Sequence, residues 1–414
     1  MNKPAMLSMD EALAALLAAA SPVGETETVS TFHGHGRVLA RAVRSTLDVP
    51  PADNTSMDGY ALRSADASAP GAVLMVAQRI PAGTVGQPLA AGTAARIFTG
   101  ALIPQGADAV VMQEATRAEG AGDEMRVTIN EAVPAGQWVR YAGEDIKAGA
   151  EVLTPGDRLT PQACGLAASV GMAELTVARR LKVAVFFTGD ELAMPGEPLK
   201  PGAIYNSNRF MLRGLIEGLG CACTDFGIVR DTLEETRRVL REAAREHDLI
   251  ITTGGVSVGE EDHVRPAVEA EGEIRLWQIS MKPGKPLAYG KVRRPIENAA
   301  SMANFIGLPG NPVSSFVTFL LFVRPFILKC QGVAEVAPKA LQMRADFDWP
   351  KPDRRREFMR ARMNAEGGLD IFPNQSSGVL TSTVWGDGLV DTPSNHTIKR
   401  GDLVRFLPFS ELLA

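Results

Sequence analysis

The hydrophobic positions of this chain change rhythm along its length. Near the start, Leu13, Leu16, Leu17 and Ala20 fall on one helical face. Ser8 and Glu11 form an S-x-x-E box ahead of them, so an amphipathic first helix is expected. A turn-rich connection through Gly34-His35-Gly36 leads into Arg37–Val43. From about residue 50 to 143, short apolar segments (Val73–Ala77, Ala95–Phe98, Ala109–Met112, Met125–Ile129) alternate with Pro/Gly turns. That is the pattern of a compact β domain. Helix signals return with Thr160 as N-cap and Pro161 at N1, and Gly171 is the expected stop. The simplest organisation is a discontinuous N-terminal domain (1–49 and 144–180) interrupted by an inserted β domain (50–143).

Residues 181–333 carry a different rhythm. Leu181–Phe187 is a continuous apolar run, as for a strand buried on both faces. A helix over 208–219, a strand Cys221–Val229, and a helix opening on Asp231 with Glu234 in its first turn follow. The second helix is expected to bury Leu233, Leu240, Ala243 and Ala244. Strands over 249–253, 286–290 and 305–308 complete the set. Such alternation predicts a doubly wound parallel α/β domain. Residues 334–414 return to short strands with turns at Gly367-Gly368, Gly386-Asp387-Gly388 and Lys399–Asp402, which predict a small C-terminal β barrel or sandwich. The fold class is therefore multidomain α/β and β.

At 414 residues the chain exceeds one core, and 45% hydrophobic with 22% charged residues is an ordinary globular composition. A net charge of −5 argues against a general binder of nucleic acid or anionic membranes. Any anionic substrate must be held by a local basic group. Cys164, Cys221, Cys223 and Cys330 form no C-x-x-C pair, and the histidines lack ligand spacing, so zinc is not expected. Four thiols in so long a chain fit a reducing cytoplasm. The alanine- and leucine-rich stretch 12–20 follows Asp10 and Glu11, the wrong sign for a signal peptide. The apolar run Phe316–Val323 meets Arg324-Pro325, which is expected to end it short of a membrane span.

In a parallel sheet, ligands sit at the carboxyl ends of the strands. One strand there ends in Thr188-Gly189-Asp190-Glu191, and another in Arg230-Asp231. A third runs into Gly254-Gly255-Val256-Ser257 with Asp262 beyond, and the last into Pro309-Gly310-Asn311-Pro312-Val313-Ser314. Glycines let backbone approach an anion. Asn311 is placed to cap a helix whose first amides favour an oxyanion, although an Asn-Pro that merely starts a helix is the plainer reading. Lys282-Pro283-Gly284-Lys285-Pro286 is a stiff cationic turn suited to a small oxyanion or phosphate, or else a solvated surface turn. Asp58, Asp145, Glu191, Asp231 and Asp262 lie beside glycines or strand ends. If several converged near a phosphate, a hard cation would have to offset them, and oxygen ligands there favour Mg²⁺.

Met57-Asp58-Gly59-Tyr60-Ala61, Ile97-Phe98-Thr99-Gly100-Ala101, Pro104–Val111 and Gly143-Glu144-Asp145 resemble the molybdopterin molybdenumtransferases, the MoeA-type molybdate insertases related to the gephyrin E domain. The junction motifs above continue the likeness in order, from about residue 8 to the C-terminus. The resemblance implies an elongated homodimer that takes adenylylated molybdopterin and molybdate with Mg²⁺, and releases AMP and the molybdenum cofactor. It implies that Thr188, Gly189, Asp190 and Glu191, with Gly254, Gly255, Val256 and Ser257, hold the pterin phosphate and adenylate. Asp262 would orient substrate, with Asp231 at the neighbouring strand end. Lys282, Lys285 and Ser314, in the company of Pro309, Gly310, Asn311 and Pro312, would bind the oxyanion with Arg356 and Ser377. Asp58, Thr99 and Asp145 would come from the other subunit, and Asp58, Asp145 and Glu191 would manage Mg²⁺. Contacts with molybdopterin adenylyltransferase and molybdoenzyme maturation factors also follow by resemblance.

Two features depart from that pattern. Gln278 follows Trp277 where the family often has a basic residue, and Arg293–Ala303 looks like a longer polar loop. The rival readings are an adenylyltransferase, a gephyrin-like scaffold and a tungstate-preferring insertase. The first lacks the Met57–Ala61 and Gly143–Asp145 motifs.

Overall fold

The computed structural model describes residues 6–255, 263–295 and 301–413. Val256, Ser257 and Asp262 lie outside the described residues. The first helix spans Met9–Ala19, and its capping box is reciprocal: Ser8 Oγ accepts from the Glu11 amide, and the Glu11 carboxylate accepts from the Ser8 amide at 2.9 Å. Its apolar face (Met9, Ala12, Leu16) joins the largest hydrophobic cluster, together with Val183, Val185, Leu320 and Phe326.

Thr26–Ser30 pairs antiparallel with Glu174–Ala178, and Val43–Arg44 with Glu151–Leu153, which brings the segments on either side of the insertion together. Thr160 caps the helix Pro161–Ser169 through a bond from the Ala163 amide, as its sequence requires. The intervening residues form a six-stranded sheet in the order Ala109–Met112, Gly59–Leu62, Thr93–Ile97, Ala72–Ile80, Arg126–Ile129, Thr116–Glu119. Gly59 is obligatory there, because a Cβ would stand 1.8 Å from the Val111 carbonyl oxygen.

The central sheet contains β1 (Lys182–Thr188), β2 (Ala222–Val229), β3 (Leu249–Thr253), β4 (Gly272–Gln278), β5 (Pro286–Arg293) and β6 (Met302–Leu308), in the order β2-β1-β3-β6-β5-β4. The helix Ser207–Gly218 covers one face and Leu233–Glu246 the other, through Leu212 and Ile216 on one side and Val239 and Leu240 on the other. Both faces are therefore dry, which is why β1 and β3 read as unbroken apolar runs. The core is parallel as expected, with one exception. β5 runs antiparallel to both neighbours, because the links from β4 and to β6 are too short for a crossover, which takes a dozen residues or more. Arg293 pairs with Met302 and Val292 with Ala303, so the ends of Arg293–Ala303 belong to β5 and β6, and residues 296–300 lie outside the described residues.

Two helix expectations shift. Thr232, not Asp231, caps Leu233–Glu246, and Leu233 is exposed while Thr236 and Val239 are buried. Nor does Arg324-Pro325 end the apolar run. A continuous helix covers Pro312–Cys330, with a π-helical stretch at Phe319–Val323 just before Pro325. The wider turn accommodates a ring that lacks an N–H and crowds the preceding turn. That helix is long and apolar enough to cross a membrane, but 94% of it lies inside the protein core.

Beyond it, β7 (Leu341–Ala345), β8 (Arg356–Met363), β9 (Gly368–Ile371), β10 (Gly388–Thr392) and β11 (Leu403–Pro408) pair in the cycle β8-β9-β7-β11-β10-β8. This closes a five-stranded barrel. The two-residue strand Met281–Lys282 pairs with β8 and ties the barrel to the central domain.

Candidate active site

The carboxyl ends of β1, β3 and β6 form a common rim, at the point where the chain winds outward from β1 to β2 and back to β3. Ligands of open α/β sheets bind at such a switch point. Thr188 ends β1 and donates its hydroxyl to Asp231 Oδ1 at 2.9 Å. Asp231 therefore ties two strand ends together. Gly254 follows β3 with φ +83°, and a Cβ added at Gly310 would stand 3.7 Å from its Cα, so the two glycine turns are neighbours. Asn208, buried in the first turn of Ser207–Gly218, donates to the Gly310 carbonyl at 2.8 Å and holds the two glycine turns in register.

Two cavities open on this rim. One, about 640 Å³, is lined by Thr188, Glu191, Tyr205, Asn208, Thr253 and Pro312, with Gly378 and Leu380 closing one side. The other, about 530 Å³, carries Lys282, Lys285 and Arg355 with Ser314, Gln375, Ser376 and Ser377, over a floor of Gly255, Pro309 and the Lys282–Pro286 turn. Gly254, Gly310 and Asn311 line both, so the cavities meet across these three residues.

The cationic cavity lies between the sheet and the barrel. Gly284, with φ +104°, places the lysine turn hard against the long helix, where a Cβ would lie 2.3 Å from Thr318 Oγ1. Lys282 Nζ donates to Glu357 Oε1 at 2.9 Å and lies 3.4 Å from Asp353 Oδ2. The Arg355 guanidinium grips both Asp353 oxygens, at 3.1 and 3.0 Å, and holds that carboxyl well below the usual carboxylate range. Lys285 is exposed and makes no side-chain bond or ion pair among the described residues. Asn311 makes no capping bond with its side chain, contrary to expectation, while the Val313 amide donates to the Ser377 carbonyl at 3.1 Å.

Arg356, expected in the site, lines neither cavity. Its Nε and Nη2 hold Asp391 at 2.6 and 2.7 Å. Successive strand residues point to opposite faces, so Arg355 reaches the cavity instead. Gly189, Asp190 and Gln278 also line neither cavity.

Asp58, Thr99 and Asp145 are not brought to the rim within one chain. Asp58 Oδ1 accepts from the Thr99 amide at 2.8 Å and its hydroxyl at 2.7 Å, and these bonds lower its pKa. Asp145 stands exposed in the loop after Gly143. Among the described residues, no three His, Cys, Asp or Glu side chains gather as a metal cluster. The thiols are chemically quiet: burial pushes Cys221 and Cys330 up to about 12 and Cys223 to about 11.

Residues 7–171 match the MoeA N-terminal region (domain I and II), 184–329 a probable molybdopterin binding domain, and 342–409 the MoeA C-terminal region (domain IV). A molybdopterin molybdenumtransferase of Haemophilus influenzae is 36% identical over 414 residues, covering 99% of this chain and all of that protein. The chain belongs to the molybdopterin molybdenumtransferase family. A relative so named from Nostoc is 36% identical over 90% of the chain and 86% of that protein. The crystal structure of a molybdopterin biosynthesis MoeA protein from Pyrococcus horikoshii superposes with a TM-score of 0.82 at 28% identity, covering 98% of this chain and all of that one. The MoeA-type architecture and the central molybdopterin-binding type of domain are thus common to the transferase family and this chain.

Proposed function

We propose that the two cavities are halves of one reaction site. The neutral cavity takes the pterin and adenylate of adenylylated molybdopterin, and the cationic cavity takes molybdate. The activity is that of the family: a transferase of molybdenum cofactor biosynthesis that inserts molybdate into molybdopterin. The observation that carries the division of labour is the shared wall of Gly254, Gly310 and Asn311. A phosphoanhydride lying on it would have the adenylate on one side and the three cations on the other. A volume near 640 Å³ suits a small organic ligand. Lys285 supplies a charge with no ion-pair partner among the described residues, and Ser314 and Ser377 supply hydroxyls for a tetrahedral oxyanion. Fixed donors of this kind need no reorganisation as charge shifts onto the leaving phosphate.

Arg355 takes the role the resemblance gave to Arg356. Mg²⁺ typically binds one or two carboxylates plus substrate phosphates, and among the described residues Glu191 is the carboxylate that lines the otherwise neutral cavity. Bound there, the ion would offset charge on the phosphoanhydride. Asp58, Thr99 and Asp145 reach the cleft from a second copy in a homodimer, which accounts for their absence from the rim of one chain. Separate apolar clusters for the inserted sheet, the segments flanking it and the barrel support the domain division. Free thiols at all four cysteines support a reducing, cytoplasmic setting.

The test is AMP release from adenylylated molybdopterin, with molybdate and Mg²⁺ omitted in turn. AMP and recoverable cofactor are expected only when both are present. Tight pterin binding with no turnover under any condition would refute the reaction.

A further inference from the structure

We propose that Glu357 is a positioning residue for the cationic cavity, holding the Lys282 ammonium at the cavity wall. This rests on the reading of that cavity as the oxyanion site. Lys282 and Glu357 are register partners in the parallel pairing of Met281–Lys282 with β8. The carboxylate is engaged on both oxygens, Oε1 by Lys282 Nζ at 2.9 Å and Oε2 by Trp349 Nε1 at 3.0 Å. Its side chain is 3% exposed, against 37% for Lys282. The acid is thus fixed and buried, and the ammonium is the member that faces the cavity.

A lysine ammonium rides on a flexible four-carbon stem and does not orient itself. Here it also shares a wall with Lys285 and Arg355, and like charges at short range repel. Glu357 answers both problems. It anchors Nζ from behind and offsets one of the three charges, as Asp353 does for Arg355. Glu357 itself lines neither cavity, so it reaches substrate only through Lys282. An anion entering from the front then meets donors already set in place, and pre-ordering of this kind strengthens binding by lowering what must be immobilised.

The experiment uses the full chain and two readouts: equilibrium dialysis of molybdate alone, and the molybdate half-saturation and limiting rate of AMP release. Glu357→Gln removes the shorter of the two ion pairs of Lys282, leaving it the more distant Asp353 Oδ2 at 3.4 Å, and should raise both the molybdate Kd and the half-saturation about tenfold or more, with the limiting rate changed far less. Glu357→Asp keeps the charge and should recover part of the affinity. Trp349→Phe removes the other hydrogen bond but leaves the pair, and should leave molybdate binding unchanged. Unchanged or tighter molybdate binding in Glu357→Gln overturns the proposal, tighter binding meaning that Glu357 acts as a competing anion. An equal loss in Trp349→Phe also overturns it, as a merely structural effect. Should Glu357→Gln fail to fold, the contrast between Glu357→Asp and Trp349→Phe decides the matter: weakened binding in the former alone supports the proposal, and no difference removes it. Lys285→Ala reports on the cavity itself. If it leaves molybdate binding intact, the oxyanion reading falls and this inference with it; if it weakens binding while Glu357→Gln does not, only the inference falls.

Discussion

Arg355 and Arg356 are adjacent in sequence and should fail in opposite ways when removed. Arg356 grips a carboxylate whose side chain is 2% exposed, with two charge-assisted bonds to Asp391. Stranding a buried charge costs about 3–5 kcal/mol. Arg405 remains 3.4 Å from Asp391 but is half exposed, so it recovers only part. Arg356→Ala should therefore destabilise the protein by about 2–4 kcal/mol. It should leave the molybdate half-saturation of the folded fraction at the wild-type value. Arg355 pairs with Asp353 near the surface, at 30% and 22% exposure, where a pair contributes about 1 kcal/mol or less. Arg355→Ala should hardly move stability. It should raise the molybdate half-saturation at least tenfold, the equivalent of one charge-assisted hydrogen bond of about 1.5–3 kcal/mol. Urea unfolding midpoints and molybdate titrations of AMP release separate the two. An Arg356→Ala protein of wild-type stability with a shifted half-saturation would refute the assignment, as would an Arg355→Ala protein with neither property changed.

Gly284→Ala forces a Cβ to within 2.3 Å of Thr318 Oγ1 at φ +104°; backbone strain and overpacking together should cost about 2–4 kcal/mol in urea unfolding. Adding Thr318→Ala should restore the overpacking part, and two independent, additive effects would contradict the contact. Burial pulls the Asp248 carboxyl upward, but the Arg179 guanidinium, the Lys182 amide and Arg294 outweigh it and hold the group below its usual range. Its stabilisation is present above the unfolded value of about 3.9 and lost as pH falls through the folded one. Asp248→Asn should therefore lower neutral stability and flatten acid unfolding below about pH 4, as followed by circular dichroism; an unchanged acid limb speaks against it. If the cleft is shared between two copies, inactive Asp58→Ala and inactive Lys285→Ala chains expressed together should recover about a quarter of wild-type activity, since half of the random dimers keep one intact site of two. No recovery would place both residues on the same chain's site.

The central domain was legible because its strands are buried on both faces, so apolar runs such as Leu249–Thr253 stand out from amphipathic helices such as Leu233–Glu246. Gly272–Gln278 escaped notice because its charged and apolar residues alternate on an edge strand, which is solvated on one side. Among the residues that line the two cavities, the glycine turns and the lysine turn were readable from local chemistry. Arg355 was not, because a one-residue ambiguity within Arg354-Arg355-Arg356 reverses the face to which each side chain points. Its partner Asp353 was the available signal: the adjacent acid engages Arg355, whereas Arg356 takes Asp391 from a distant strand. Asn208 was hidden for another reason. Asn206-Ser207-Asn208 reads as ordinary capping chemistry, and Asn206 does cap the helix, while the bond from Asn208 to Gly310 spans 102 residues.

The two cavities depend on different parts of the fold. Among the described residues, the first cavity is walled mainly by the ends of β1, β3 and β6 and by the starts of two helices, at Asn206–Asn208 and Asn311-Pro312, with Gly378 and Leu380 contributed from the C-terminal region. The cationic cavity takes Arg355, Gln375, Ser376 and Ser377 from that region, and Lys282 is held by β8. The first cavity is therefore built largely by the central domain, whereas the cationic one exists only where the barrel docks on the lysine turn. Lys282 beside Glu357 is the contact that joins those parts, and Gly284 against Thr318 seats the lysine turn on the long helix of the central domain. If the cationic cavity takes the molybdate and its neighbour the adenylate, as proposed, insertion is conditional on both halves being assembled, because one cavity belongs to the sheet and the other to its junction with the barrel.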